Sequence, residues 1–381
     1  LGNLYIGVMS GTSFDGVDLV LLDIERPFHA RQLAFSHEAF PPELKNTLLQ
    51  AVAANGWHPA EWLALHDALG KHFGEAIHAF IQAHAAKQTI RAIGLHGLTL
   101  WHLPESHQVG QLWGNGSLQI GNAAQVRAIT GIPTIYDFRS ADMALGGQGA
   151  PLAPFLDRLL FSDSKQGRMA LNLGGIANVT FLPPEGGPVI AFDTGPSNML
   201  IDALMTNHPK TPSLFDEGGR CAARGRVLPD LLARCKADPY FEKAPPKSTG
   251  RERFGSAFLH HFTAESYSDD YDDLVATATR LSAETISDAI HAQMARMSDQ
   301  GTFDMLIAAG GGVHNPTLMA MLAECLPDVT ITTTASFGVP PDGKEAWLMA
   351  ALAWAHMEGV PGNIASVTGA SDEVVLGAST R

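Results

Sequence analysis

Cysteine is scarce in this sequence. Cys221, Cys235 and Cys325 are the three in 381 residues. Their odd number and lack of close spacing argue against a disulfide framework or a thiolate metal centre, and fit thiols of a reducing compartment. Positive charge is short as well. With 25 Lys and Arg against 39 Asp and Glu, the formal charge is −14. That excludes sequence-independent nucleic-acid binding, which needs a basic surface to displace counterions. The chain has no apolar run near the length of a bilayer, and no charged leader followed by an apolar core and a small-residue cleavage site. These absences predict a soluble, cytoplasmic protein with neither membrane nor nucleic-acid partners.

Familiar nucleotide and metal signatures are missing too. A Walker loop needs GxxxxGK followed by Ser or Thr, but Gly70-Lys71 runs into His72 and Gly343-Lys344 into Glu345. No GxGxxG opens a helix after a strand, and the protein-kinase motif set is absent. The 16 His residues are scattered without an HExxH, and the His260-His261 pair reads as structural or solvated. Direct metal ligands are left undetermined.

What is present is a series of Gly-rich turns between apolar runs. Ile6 to Ile24, IGVMSGTSFDGVDLVLLDI, reads as two strands joined by a polar turn. Gly11 and Gly16 allow close backbone approach, Ser10, Thr12 and Ser13 add hydroxyls, and Asp15 and Asp18 are placed to reach a phosphate-bound Mg²⁺. An ordinary hairpin with a polar turn has the same composition. Met169 to Leu182, MALNLGGIANVTFL, repeats the design around Gly174 and Gly175. Two such hairpins suggest two related lobes offering backbone loops to one polyphosphate from opposite sides of a cleft. A third turn, Gly310, Gly311 and Gly312, follows an apolar strand and leads to a helix with Asn315 as N-cap and Pro316 at its first position.

Elsewhere the periodicity predicts core helices through Leu44, Leu48, Ala51 and Val52, through Trp62, Leu65, Leu69, Phe73, Ala76 and Phe80, and through Ile286, Ile290, Met294 and Met297. TIRAIGLHGLTL reads as a buried strand that breaks at Gly94 and Gly97 and leaves His96 at its end. Arg139 and Asp142, after the strand IPTIYDF, suggest a structural ion pair. The segment from Pro212 to Gly255 reads as a surface arm or a cover for the cleft. The run Asp269, Asp270, Asp272 and Asp273 reads as a solvated turn. Asp193, in FDTGPSNMLID, is expected at the C-terminal end of a short strand; there it is either a catalytic carboxylate or a cap for the following helix. Glu345 in a helix's first turn is favoured by the dipole in any protein.

The order of these segments resembles the actin, sugar-kinase and heat-shock-chaperone ATPase superfamily, and the wording is close to the bacterial anhydro-N-acetylmuramic acid kinase family. The matching words are GVMSGTSFDGVD, GLHGLT, FRSADMALGGQGAPL, LNLGGIANVTF, FDTGPSN, STGRERF and AAGGGVHNPTLM, spread over nearly the whole chain. Leu98 stands where the family usually has Gln, and Ser197 where it usually has Gly. The resemblance implies an α/β protein: two related lobes of the actin-like ATPase (ribonuclease H-like) fold around a central nucleotide and substrate cleft. Residues 1–165 plus 345–381 would form one lobe and 166–344 the other. It implies ATP-dependent opening of 1,6-anhydro-N-acetylmuramic acid by water with phosphorylation of its 6-oxygen, Mg²⁺ as cofactor, and a homodimer. Another small-molecule sugar or carboxylate kinase of the superfamily is the alternative.

By the same resemblance Asp193 is the catalytic base. Gly11, Thr12, Ser13, Phe14, Asp15, Gly16, Val17, Asp18, Gly174, Gly175, Gly310, Gly311 and Gly312 would bind the nucleotide. His96, Thr99, Arg139 and Glu345 would bind the sugar, and Arg251 and Glu252 would organise a nearby loop.

Overall fold

The computed structural model describes residues 3–11, 14–53, 57–184, 187–264 and 270–380. Of the residues singled out above, Thr12, Ser13 and Asp269 lie outside this set. The strands, in chain order, are β1 (Leu4–Met9), β2 (Gly16–Glu25), β3 (His29–Ala39), β4 (Ile90–Leu95), β5 (Leu98–Val109), β6 (Leu112–Ile120), β7 (Thr134–Tyr136), β8 (Gly167–Leu173), β9 (Ile176–Leu182), β10 (Ile190–Pro196), β11 (Phe303–Ala309), β12 (Thr330–Thr333) and β13 (Ala378–Thr380). The chain divides into two units, 1–159 with 343–381, and 160–342.

The first unit carries a six-stranded sheet in the order β13-β7-β4-β1-β2-β3. β1, β2 and β3 form an antiparallel meander, whereas β4 runs parallel to β1 and β7 parallel to β4. One core joins Ile6, Val8, Leu19 and Leu21 of the sheet to Leu65, Leu69, Phe73 and Ile77 of the helix Pro59–His84. That helix begins in a reciprocal cap: the His58 N–H donates to Glu61 at 2.7 Å while His58 Nδ1 accepts from the Ala60 N–H at 3.3 Å. The helix Lys344–Glu358 packs on β1 and β4. Contact is so close that a Cβ on Gly7 would lie 1.8 Å from the Ala346 carbonyl oxygen, and one on Gly94 2.0 Å from that of Met349. Gly94 therefore does not break the strand, as expected from sequence; β4 continues through it, and the missing side chain lets the helix seat.

The second unit repeats the arrangement in a five-stranded sheet, β10-β9-β8-β11-β12. Again three antiparallel strands are followed by two parallel ones. The expectation of two related α/β lobes, drawn from two similar hairpins, is met by this shared strand order. Met169, Leu171, Val179 and Phe181 pack with Ile286, Ile290 and Met297, the stripe predicted on the helix Tyr271–Arg296.

The described part of the acidic run, Asp270, Asp272 and Asp273, opens a helix and does not form the expected solvated turn. Asp270 caps that helix, Asp272 binds Arg224 and His208, and Asp273 is buried, accepting the Arg226 N–H at 2.7 Å. An N-terminal turn of a helix favours acidic residues, and the arm from Pro212 folds back to meet them. Among the described residues no helix is long and apolar enough to cross a membrane.

Candidate active site

In the first unit, β1 and β2 form the expected hairpin, and the described part of its turn is tightly held. Ser10 Oγ donates to the Gly16 carbonyl at 2.9 Å, and the Phe14 N–H donates to the Gly11 carbonyl at 3.3 Å. Phe14 is buried at φ 53, and Gly16 has no room for a side chain because a Cβ would sit 2.3 Å from the Glu38 carbonyl oxygen. Val17 is core. Asp15 is exposed, and Asp18 is bound by His37 at 2.7 Å.

At the end of β4 two of the predicted sugar residues, His96 and Arg139, meet. Nδ1 of His96 lies 2.9 Å from the Gly97 carbonyl and so carries the proton; Nε2 accepts from Arg139 Nη2 at 3.1 Å. Burial, then the Arg139 charge, push His96 down to about 4, keeping it neutral. Arg139 also donates to the Gly149 carbonyl at 2.7 Å, while its Nε is buried without a partner among the described residues.

The predicted Arg139–Asp142 ion pair is absent. Asp142 is fully buried and accepts from Gly149 N–H, Asn363 Nδ2 and Thr368 Oγ1 at 2.7, 2.8 and 2.6 Å, tying the loop to the C-terminal segment. Glu345 reaches solvent, yet surrounding protein raises its carboxyl above the usual range; Asp18 reinforces this, and Lys344 and Arg139 oppose it. Thr99 Oγ1 accepts from Gln119 at 3.3 Å, and Leu98 is core. His96, Arg139 and Glu345 thus share one electrostatic neighbourhood.

In the second unit, the β8–β9 turn holds the start of the helix Asn198–Thr206. The Gly175 carbonyl accepts from Ser197 and Met199, and that of Gly174 from Asn198. Asp193 lies within β10, opposite Asn178, beside a register shift before Gly195. It is therefore not at the strand end, as the sequence suggested, because pairing with β9 continues to Pro196. Nor does it cap the helix: its carboxylate accepts the Thr249 N–H at 2.9 Å, and Ser197 occupies the N-cap.

A loop grips the Asp193 backbone as well. The Asp193 N–H donates to Lys247 O at 3.1 Å, and Tyr240 Oη donates to Asp193 O at 2.8 Å. Burial raises the Asp193 carboxyl to about 6, Glu252 adds to this, and the Thr249 N–H and Lys247 oppose it. Arg251 is exposed, whereas Arg253 binds Asp238.

The three glycines after β11 divide their tasks. Gly310, at φ 84, and Gly312 press against Leu173 with no room for a Cβ, whereas Gly311 has open space and lines a cavity of about 430 Å³. Asp202, Phe215 and His314 also line it. Sequence reading missed Asp202, although its spacing of four from Asn198 puts both on one helix face.

A cluster of His208, Cys221 and Asp272 has ligand atoms within 4.8 Å of one another. It functions as a hydrogen-bond knot: His208 Nδ1 accepts the Lys210 and Thr211 N–H groups, Nε2 faces Asp272, and Arg224 covers both Asp272 and Cys221. A fixed guanidinium at that point opposes a cation.

A family model described as Anhydro-N-acetylmuramic acid kinase matches residues 3–381. Among solved structures, the chain is similar to a ROK family glucokinase from Streptomyces griseus in complex with glucose and AMPPNP, at 12% identity and TM-score 0.38, covering 92% of this chain and 99% of that one. It is also similar to the activator of the 2-hydroxyisocaproyl-CoA dehydratase from Clostridium difficile with bound ADPNP, at 11% identity and TM-score 0.42, covering 93% and 96%. A third is component A of the (R)-2-hydroxyglutaryl-CoA dehydratase of Acidaminococcus fermentans, at 11% identity and TM-score 0.41, covering 92% and 97%.

Proposed function

The chain belongs to the anhydro-N-acetylmuramic acid kinase family, and from that premise we propose how its residues divide the reaction. The activity is phosphoryl transfer from ATP to an anhydro-amino-sugar in peptidoglycan recycling. In our reading, water adds to the anomeric carbon of 1,6-anhydro-N-acetylmuramic acid, Asp193 takes its proton, and the bridging C1–O6 bond breaks. The freed 6-oxygen accepts the γ-phosphoryl group, giving N-acetylmuramic acid 6-phosphate and ADP. An inverting glycosidase needs a second carboxyl to protonate the leaving oxygen; here phosphoryl capture replaces that proton, so one base suffices.

The observation that carries this reading is the Asp193 carboxyl itself. It is raised to about 6 and fixed by the Thr249 N–H, so near neutral pH it is ionised yet basic enough to accept a proton. His96, Arg139, Thr99 and Glu345 would bind the sugar. The Gly11–Asp18 turn and the Gly174–Gly175 hairpin would carry phosphate groups. Asp15 and Asp18 offer the oxygen ligands that Mg²⁺ prefers, and the ion would supply charge neutralisation on the phosphates. The cavity beside Gly311 has room for adenosine. Turnover in ¹⁸O-labelled water tests the scheme: label should enter the anomeric hydroxyl, and unlabelled product would refute hydrolytic opening.

We also place the enzyme in the cytoplasm, as a homodimer. β5 and β6 form a separate two-stranded sheet that exposes Trp101, Leu103, Val109, Leu112, Trp113 and Leu118. Residues 98–120 contain one charged side chain, Glu105, in a chain of formal charge −14. A second copy is the occupant that fits, since like-charged molecules associate through uncharged faces, and the segment is of the size, about 20–30 residues a side, that a stable interface uses.

A further inference from the structure

The cavity of about 430 Å³ in the second unit has four titratable groups in its lining, and three are committed. Both Asp216 oxygens accept N–H bonds, from Cys221 at 2.9 Å and Ala222 at 3.0 Å. Glu217 pairs with Arg220, and His314 with Asp342 at 3.0 Å. Asp202 is the exception. Among the described residues its half-buried carboxyl has no hydrogen bond or ion pair, although it lies one turn beyond Asn198 on the helix face that borders the cavity.

A carboxyl withdrawn from water without a donor beside it is costly as an anion and far less so as an acid. Among the described residues nothing relieves that cost. The helices Ser256–Ala264 and Tyr271–Arg296 pack against the helix that carries Asp202, and neither supplies a charge that moves its ionisation. Burial alone raises it to about 7. A nucleotide entering the cavity would remove more water and bring negative phosphates, both of which favour the acid further.

We propose that Asp202 reads the nucleotide base as a neutral carboxylic acid, its O–H donating to a ring nitrogen of adenine while its C=O accepts from the exocyclic amino group. The inference rests on the assignment of this cavity to adenosine. The acid presents the same donor–acceptor pair that an Asn or Gln side chain offers to adenine. An ionised Asp202 would accept from the amino group but offer the adenine ring nitrogen no proton, so only the neutral acid completes the pair. Asp202 thus couples the binding of adenosine nucleotides to proton uptake.

Calorimetry of the β,γ-imido analogue of ATP, across pH 6.5–8.5 and in buffers of different ionisation enthalpy, tests this. Wild-type affinity should be flat below about pH 7 and fall towards tenfold per pH unit above it, with proton uptake on binding. Asp202→Asn keeps the donor–acceptor pair and should retain the pH 6.5 affinity within about threefold while losing the added pH dependence. Asp202→Ala should lose about tenfold at pH 6.5. Titration of the analogue's own phosphate is common to all three proteins and cancels.

Identical pH profiles in wild type and both variants would overturn the proposal. Gly311→Phe separates that outcome from a misassigned cavity, because its side chain enters open space there. If Gly311→Phe abolishes nucleotide binding but the profiles coincide, the role of Asp202 alone falls. If Gly311→Phe binds normally, the adenosine assignment falls with it.

Discussion

Replacing Asp193 with Asn removes a charge while preserving shape, and the structure fixes what should follow. Wild-type Asp193 ionises near 6 rather than the ordinary 3.8, mainly because burial penalises the anion. A displacement of that size corresponds to about 3 kcal/mol of destabilisation when the group is charged. Water still reaches the half-buried side chain, so about 1–2 kcal/mol is a realistic expectation.

The sign follows from proton linkage. Between pH 4 and 6 the folded protein holds this proton more tightly than the unfolded chain does, so wild-type stability falls as pH rises through that window. Asn never ionises, and its side-chain oxygen can still accept the Thr249 N–H. Asp193→Asn should therefore match the wild type below about pH 4 and be more stable by about 1–2 kcal/mol at pH 7.5. Turnover should fall by 10²–10⁴-fold, the usual contribution of a positioned base. Wild-type kcat/KM should rise with pH through about 6 as the base loses its proton.

Urea titration at both pH values, nucleotide binding and mass detection of the sugar phosphate, all on one preparation, make the comparison. Near-normal turnover would remove Asp193 from the mechanism. A variant less stable than wild type at pH 7.5 would refute the burial argument.

Two further expectations concern packing and association. Gly94→Ala places a methyl group 2.0 Å from the Met349 carbonyl oxygen; backbone cannot yield there as a flexible side chain would, so about 3 kcal/mol or more should be lost, and an unchanged urea midpoint would contradict the close seating of the helix on β4. Trp113→Asp puts a charge on the exposed hairpin; light scattering after size exclusion should show a monomer in place of a dimer, and a dimer that survives would place the interface elsewhere.

The sequence alone determined what repeats and local chemistry determine. Two apolar runs around Gly174 and Gly175, built like those around Gly11 and Gly16, announced two lobes because a hairpin's pattern is carried by its own residues. Asn315 as a cap and Pro316 after it were legible for the same reason. What the sequence left undecided depended on partners far along the chain. Asp142 looked like the partner of Arg139 three residues away, but Asn363 and Thr368 claim it. Gly94 looked like a strand break because nothing nearby shows that Met349 presses on it.

The roles open to Asp193 were narrowed in the same way. Adjacency suggested a helix cap, whereas the tertiary structure brings Thr249, Lys247 and Tyr240 to hold it, and surrounds its carboxyl with enough protein to change its acidity. Burial and long-range hydrogen bonds are properties of the assembled fold, and they are what set the ionisation of Asp193 and Asp202 and the neutral state of His96.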